Sequence, residues 1–174
     1  MPIIKYGPST CIKVTQVVTN VADNILLHNK KYINELKNVW GLGNITYNDD
    51  FAATLANGIY SWQSRNWDPK VGSRRFEQYC SNITSGDVLY PATARLNKTV
   101  TSLIKAGGHG DKAAYLTPRM LNYIGWINST YVAPCARGGQ TQNQCFGTHN
   151  ASMAYNYTDT SLEAGEVSSL CSKI

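Results

Sequence analysis

No stretch of the chain approaches the roughly 20 apolar residues that a membrane span requires, so it reads as not membrane-spanning. Charge is scarce as well. Only 16% of residues are Asp, Glu, Lys or Arg, and the net +5 comes as scattered pairs such as Lys30-Lys31 and Arg74-Arg75. Without a basic stripe, no nucleic-acid partner is expected. Three histidines and five cysteines, with no Cys-x-x-Cys, give no zinc-ligand spacing, and no cofactor is expected. Gly-x-Ser-x-Gly, a phosphate loop and a dinucleotide fingerprint are all missing, which removes the local signatures of a nucleophile elbow or a nucleotide cradle. The opening Met1-Pro2-Ile3-Ile4-Lys5 lacks the apolar core of a signal peptide, so the chain reads as a mature form.

What is present is polar and uncharged. Asn-x-Ser/Thr sequons occur at Asn44, Asn82, Asn97, Asn128, Asn150 and Asn156. With 16 Asn and 28 Ser plus Thr, random placement would give about three. The excess predicts a secreted, extracellular glycoprotein. The cysteines fit disulfides better than metal: Cys135 with Cys145 across a loop, Cys11 with Cys171 tying the termini, and Cys80 left over. That odd cysteine leaves monomer and dimer both open. A length of 174 residues suits one domain, with a core over about 14–158 and a C-terminal extension over 159–174.

Apolar residues at three- and four-residue steps predict a helix from Thr15 to Lys37 and a second from about Asp49 to Arg65, where Phe51, Leu55, Ile59 and Trp62 form one ridge. Residues 80–92 read as loop, Ala92 to Lys105 as a third helix, and Thr117 to Leu121 as a short fourth with Pro118 at its first position. Aromatic and β-branched residues predict strands over Tyr123–Val132 and Ala151–Tyr157, joined by a polar loop at 138–144. Helices early and strands late make the class α+β.

The order Met120-Leu121-Asn122-Tyr123-Ile124-Gly125-Trp126, then Val132-Ala133-Pro134-Cys135, Cys145 and Tyr155-Asn156-Tyr157 resembles the C-terminal half of the CAP superfamily (cysteine-rich secretory, antigen 5 and pathogenesis-related 1 proteins). Leu27-His28-Asn29, Ile45-Thr46-Tyr47 through Phe51-Ala52, and Phe76 through Ile83 resemble earlier landmarks of the same family. The resemblance implies a three-layer α-β-α sandwich with a central antiparallel sheet. It also implies that the family's metal cavity is lost, because Phe76, Ser81 and Met120 stand where two His and one Glu would be, and no acidic residue lies between Asp87 and Asp111.

From this follows the expectation of a non-enzymatic CAP-like effector with no catalytic residue and no metal. It would bind a sterol or fatty acid against the walls Phe51, Leu55, Ile59 and Trp62, or bind a host or other extracellular protein through its loops. The alternative is a small secreted glycoside hydrolase or other carbohydrate-binding protein, with Glu35 facing Asp49 or Asp50 as the carboxylate pair. His28 reads as a packing histidine, and His109 and His149 as surface residues. A Cys80–His109 nucleophile has nothing in the sequence to bring it together.

Overall fold

The structure, a computed structural model, describes residues 9–61 and 74–149, and every regular element among them is helical. In chain order these are α1 (Ser9–His28), a 3-10 turn (Lys30–Tyr32), α2 (Ile33–Val39), α3 (Asn48–Leu55), α4 (Asn57–Tyr60), α5 (Arg75–Thr84), α6 (Pro91–Ala94), α7 (Asn97–Ala106), a second 3-10 turn (Gly110–Lys112) and α8 (Ala113–Ile127). A π-turn (Asn128–Val132), α9 (Ala133–Arg137) and α10 (Gln142–Phe146) follow. The expected α+β sandwich is therefore corrected: the described residues contain no strand and no sheet.

Helix α8 explains the error. Met120 through Ile127 are all buried, so the segment has no polar face to mark a 3.6-residue period. A continuous apolar run does not distinguish a buried helix from a buried strand, and the Tyr, Ile and Trp content favours strand. Here tertiary burial decides, and α8 is the central rod against which α5, α6, α7 and α1 pack. It begins at Ala113, not Thr117, and Pro118 lies inside it. The π-turn then carries the helical path on to α9.

An aromatic chain fills the centre. Tyr79 of α5 meets Tyr123 and Trp126 of α8 edge-on at 5.3 and 5.0 Å, and Trp40 meets Tyr123 at 5.1 Å. Such pairs contribute about 0.5–1.5 kcal/mol each beyond their area. The Tyr79 hydroxyl pairs with Thr15 Oγ1 at 2.6 Å, and the Tyr123 hydroxyl donates to the Leu55 carbonyl. Burial pushes the Tyr79 hydroxyl up to about 12 and Tyr123 well above its ordinary value.

The predicted first helix is two helices. α1 stops at His28 because Asn24 and Asn29 turn to donate to the Gly107 and Ala106 carbonyls at the end of α7. Chain direction is reset by the 3-10 turn before α2. Gly41 then adopts φ +70°, the left-handed conformation that ends a helix, and Asn128 leaves no room for a Cβ there. The second predicted helix likewise divides into α3 and α4, and residues 75–84 form α5 where a loop was expected from Cys80 onward.

Two disulfides brace the bundle. Cys135 and Cys145 are joined (S–S 2.03 Å), linking α9 to α10. Cys11 pairs with Cys80 at 2.05 Å and not with Cys171, because the two side chains meet in the buried seam between α1 and α5. Cys80 is thus bonded and not left over. Cys171, like Trp62 and the expected strand at Ala151–Tyr157, lies outside the described residues.

Candidate functional site

The best-defined constellation of reactive groups sits where the far end of the chain folds back on the start of α3. Tyr47 is extended (φ −95°, ψ 143°) and releases the chain into α3, placing Asp49 and Asp50 in the first turn. There the free amide groups of the helix favour carboxylates. Opposite them, α10 is clamped onto the 41–46 loop by two amide side chains. Gln142 accepts from the Asn44 N–H (2.9 Å) and donates to the Gly41 carbonyl (2.7 Å). Asn143 accepts from the Thr46 N–H (3.0 Å) and donates to the Thr46 hydroxyl (2.8 Å). A Thr141/Gln144 capping box starts α10, and the Cys135–Cys145 bridge holds it from behind. The chain leaving α10 therefore arrives beside α3 with its direction set.

Thr148 and His149 make the contact. Asp50 Oδ1 accepts from both the backbone N–H (3.0 Å) and the hydroxyl (2.7 Å) of Thr148. Asp50 is only 2% exposed, and its second oxygen, Oδ2, is buried without a hydrogen-bond partner. His149 Nε2 lies 2.7 Å from Asp49 Oδ2, and the imidazole stacks on the Tyr47 ring at 4.0 Å. The hydrogen bond to His149 holds the Asp49 carboxyl below its ordinary 3.8, and the same bond holds the imidazole above 6.5. Lys37 is the nearby cation. Its ammonium is spent on the Ile45 and Thr46 carbonyls at 3.1 and 3.4 Å, and burial lowers its pKa against the pull of both carboxylates. A cleft of about 370 Å³ opens here between Tyr47, Asp50, Asn143, Gln144, Gly147 and His149.

A larger groove of about 490 Å³ lies along the π-turn, lined by Tyr90, Leu96, Ile124, Asn128 and Val132 among others. Its only charged lining residue is Arg95, so it lacks an acid–base pair.

The residues singled out in the sequence are placed elsewhere. Phe51 and Leu55 are 0% and 1% exposed and belong to the core, and Ile59 packs against it. Phe76 and Met120 are also core, and Ser81 is exposed on α5, so these positions form no cleft. Glu35 does not join the Asp49/Asp50 cluster, where His149 stands instead. His109 is tied to Asn20 Oδ1 at 2.7 Å, and His28 is exposed at the end of α1, not packed. Asn44 and Asn97 are exposed. Asn82 and Asn128 direct their amide groups inward, to the Tyr90 hydroxyl and to the Trp40 and Ile124 carbonyls, so these two sequons are occupied by the fold. Asn150 and Asn156 lie outside the described residues. The pairing of Asp49 with His149 joins positions 100 apart, and no local motif announces it.

No family model matches the chain, and no solved structure matches it. It is similar to a protein of the fungus Arthroderma benhamiae named as a probable extracellular serine carboxypeptidase, with 40% identity over 151 residues. Those residues are 86% of this chain and 21% of the relative, so the chain spans about one fifth of that protein's length. This match, with the sheetless fold, overturns the CAP-like reading and its effector, venom-allergen and lipid-binding corollaries. The relative's name is that of an enzyme, which also overturns the expectation of a non-enzymatic protein.

Proposed function

We propose that this chain is a helical part of a secreted peptide hydrolase of the serine carboxypeptidase kind, contributing surface around the peptide site while the acylating serine lies outside it. The observation that carries this reading is the 40% identity over 151 residues to a protein named as such an enzyme, of which those residues make up one fifth. The chemistry of the described residues agrees. Acyl transfer by this route needs a serine hydroxyl on a histidine that is itself oriented by a carboxylate. Among the described residues His149 has the carboxylate but no serine hydroxyl hydrogen-bonded to it, and His109 is spent on an asparagine. Two disulfides suit an oxidising compartment. The hydrolase class of the glycosidase alternative is retained, and the bond cleaved becomes a peptide bond.

Fluorophosphonate labelling followed by peptide mass spectrometry tests this. The folded chain should take no adduct on any serine, while the fungal relative should be labelled outside the segment that aligns with it. An adduct on a serine of this chain would mean that it carries the nucleophile, and the proposal would fail.

A further inference from the structure

We infer that Asp49, Asp50 and His149 form a binding site for a divalent cation of the zinc class, which clips the segment after α10 onto α3. Each of the three offers a ligand atom, and these atoms lie within 4.8 Å of one another. First-turn carboxylates of a helix are common, and the helix terminus accounts for exposed Asp49 without any ligand. It does not account for Asp50. That carboxylate is 2% exposed, lines the cleft, has one oxygen saturated by Thr148, and keeps Oδ2 buried with no donor. A buried acceptor left unmade costs free energy that the fold recovers only if something else binds it. Lys37 does not serve: its ammonium donates to two carbonyls and makes no hydrogen bond to Oδ2.

The donor set selects the ion. One imidazole nitrogen with two carboxylates suits zinc and its borderline neighbours, whereas calcium takes six to eight oxygens. Three protein ligands leave a coordination position toward the 370 Å³ cleft for water or a bound carboxylate. The 2.7 Å bond from His149 to Asp49 would give way to two bonds to the ion, and Tyr47 stacking already fixes the plane of the imidazole. The inference is independent of the peptidase reading, since it concerns binding alone.

The test is isothermal titration of the full 174-residue chain, freed of metal with EDTA, with zinc chloride and separately with calcium chloride near neutral pH. One zinc should bind per chain, with calcium weaker by more than tenfold. Loss of an outer-shell partner alone typically costs about 10–100-fold in affinity, so His149→Ala and Asp50→Asn should each weaken zinc by more than about tenfold. His28→Ala and His109→Ala should leave it unchanged. Absence of saturable zinc binding, or undiminished affinity in His149→Ala, would overturn the inference. His149 is exposed, so that variant remains decisive if Asp50→Asn does not fold.

Discussion

Removal of the two disulfides should have unequal costs and separate consequences. The Cys11–Cys80 bridge closes a loop of 69 residues and the Cys135–Cys145 bridge a loop of 10. In the chain-entropy treatment, the longer loop contributes about 4.4 kcal/mol at 25 °C and the shorter about 2.7 kcal/mol. Cys11→Ala/Cys80→Ala should therefore lower the free energy of unfolding by about 4 kcal/mol, enough to threaten a domain of ordinary stability. Cys135→Ala/Cys145→Ala should cost about 3 kcal/mol or less. It should also act locally, because α10 is held to the body mainly by Gln142, Asn143 and that bridge. Denaturant unfolding followed by circular dichroism gives the first pair of numbers, with Cys171→Ser in every variant to prevent exchange. Hydrogen exchange gives the second, as lost protection over residues 142–149 with the α1/α5 seam unchanged. Equal costs, or intact protection over 142–149, would refute the assignment of one bridge to the core and the other to the site.

Three further outcomes follow from the same packing. Gly125→Ala would push a methyl into the Tyr90 ring and Gly58→Ala one into the Tyr79 ring; each should cost at least about 1–3 kcal/mol, read as a fall in unfolding midpoint. Because the Tyr79 pKa is raised from 10.0 to about 12, the unfolded chain loses its proton first. Stability from this group is full below pH 10 and falls by about 3 kcal/mol as pH rises toward 12; Tyr79→Phe should lose that part of the alkaline slope. Glycopeptide mass spectrometry from a eukaryotic secretory host should find sugar at Asn44 and Asn97 and none at Asn82 or Asn128, whose amide groups are buried in hydrogen bonds.

Three surface-facing helices were legible in the sequence, and the central one was not. α1, α3 and α7 each show an apolar stripe against polar residues, so their periods can be read, although not their breaks. The interruption at His28 depends on Asn24 and Asn29 reaching carbonyls some 80 residues away, which no local rule encodes. The second half of α8, Met120 to Ile127, carries no stripe because it is buried on all sides, and its aromatic content then misleads toward strand. That misreading supplied one of the two expected strands and one part of the CAP-like resemblance, which in turn implied the sandwich and its site. The candidate site was legible only in halves: Asp49 and Asp50 as helix-start acids, and His149 as a surface histidine. Joining them requires the α10 clamp, whose glutamine and asparagine looked like loop residues.

The central claim, that this helical bundle serves a peptide hydrolase, is tested most directly by segment exchange. The aligned 151-residue segment of the fungal relative is replaced by this chain's, and release of C-terminal residues from peptides is measured on the secreted, folded product. Carboxypeptidase activity should be retained, with any change falling on which peptides are preferred. A product that is secreted, folded and labelled by fluorophosphonate, yet cleaves no peptide, would contradict it.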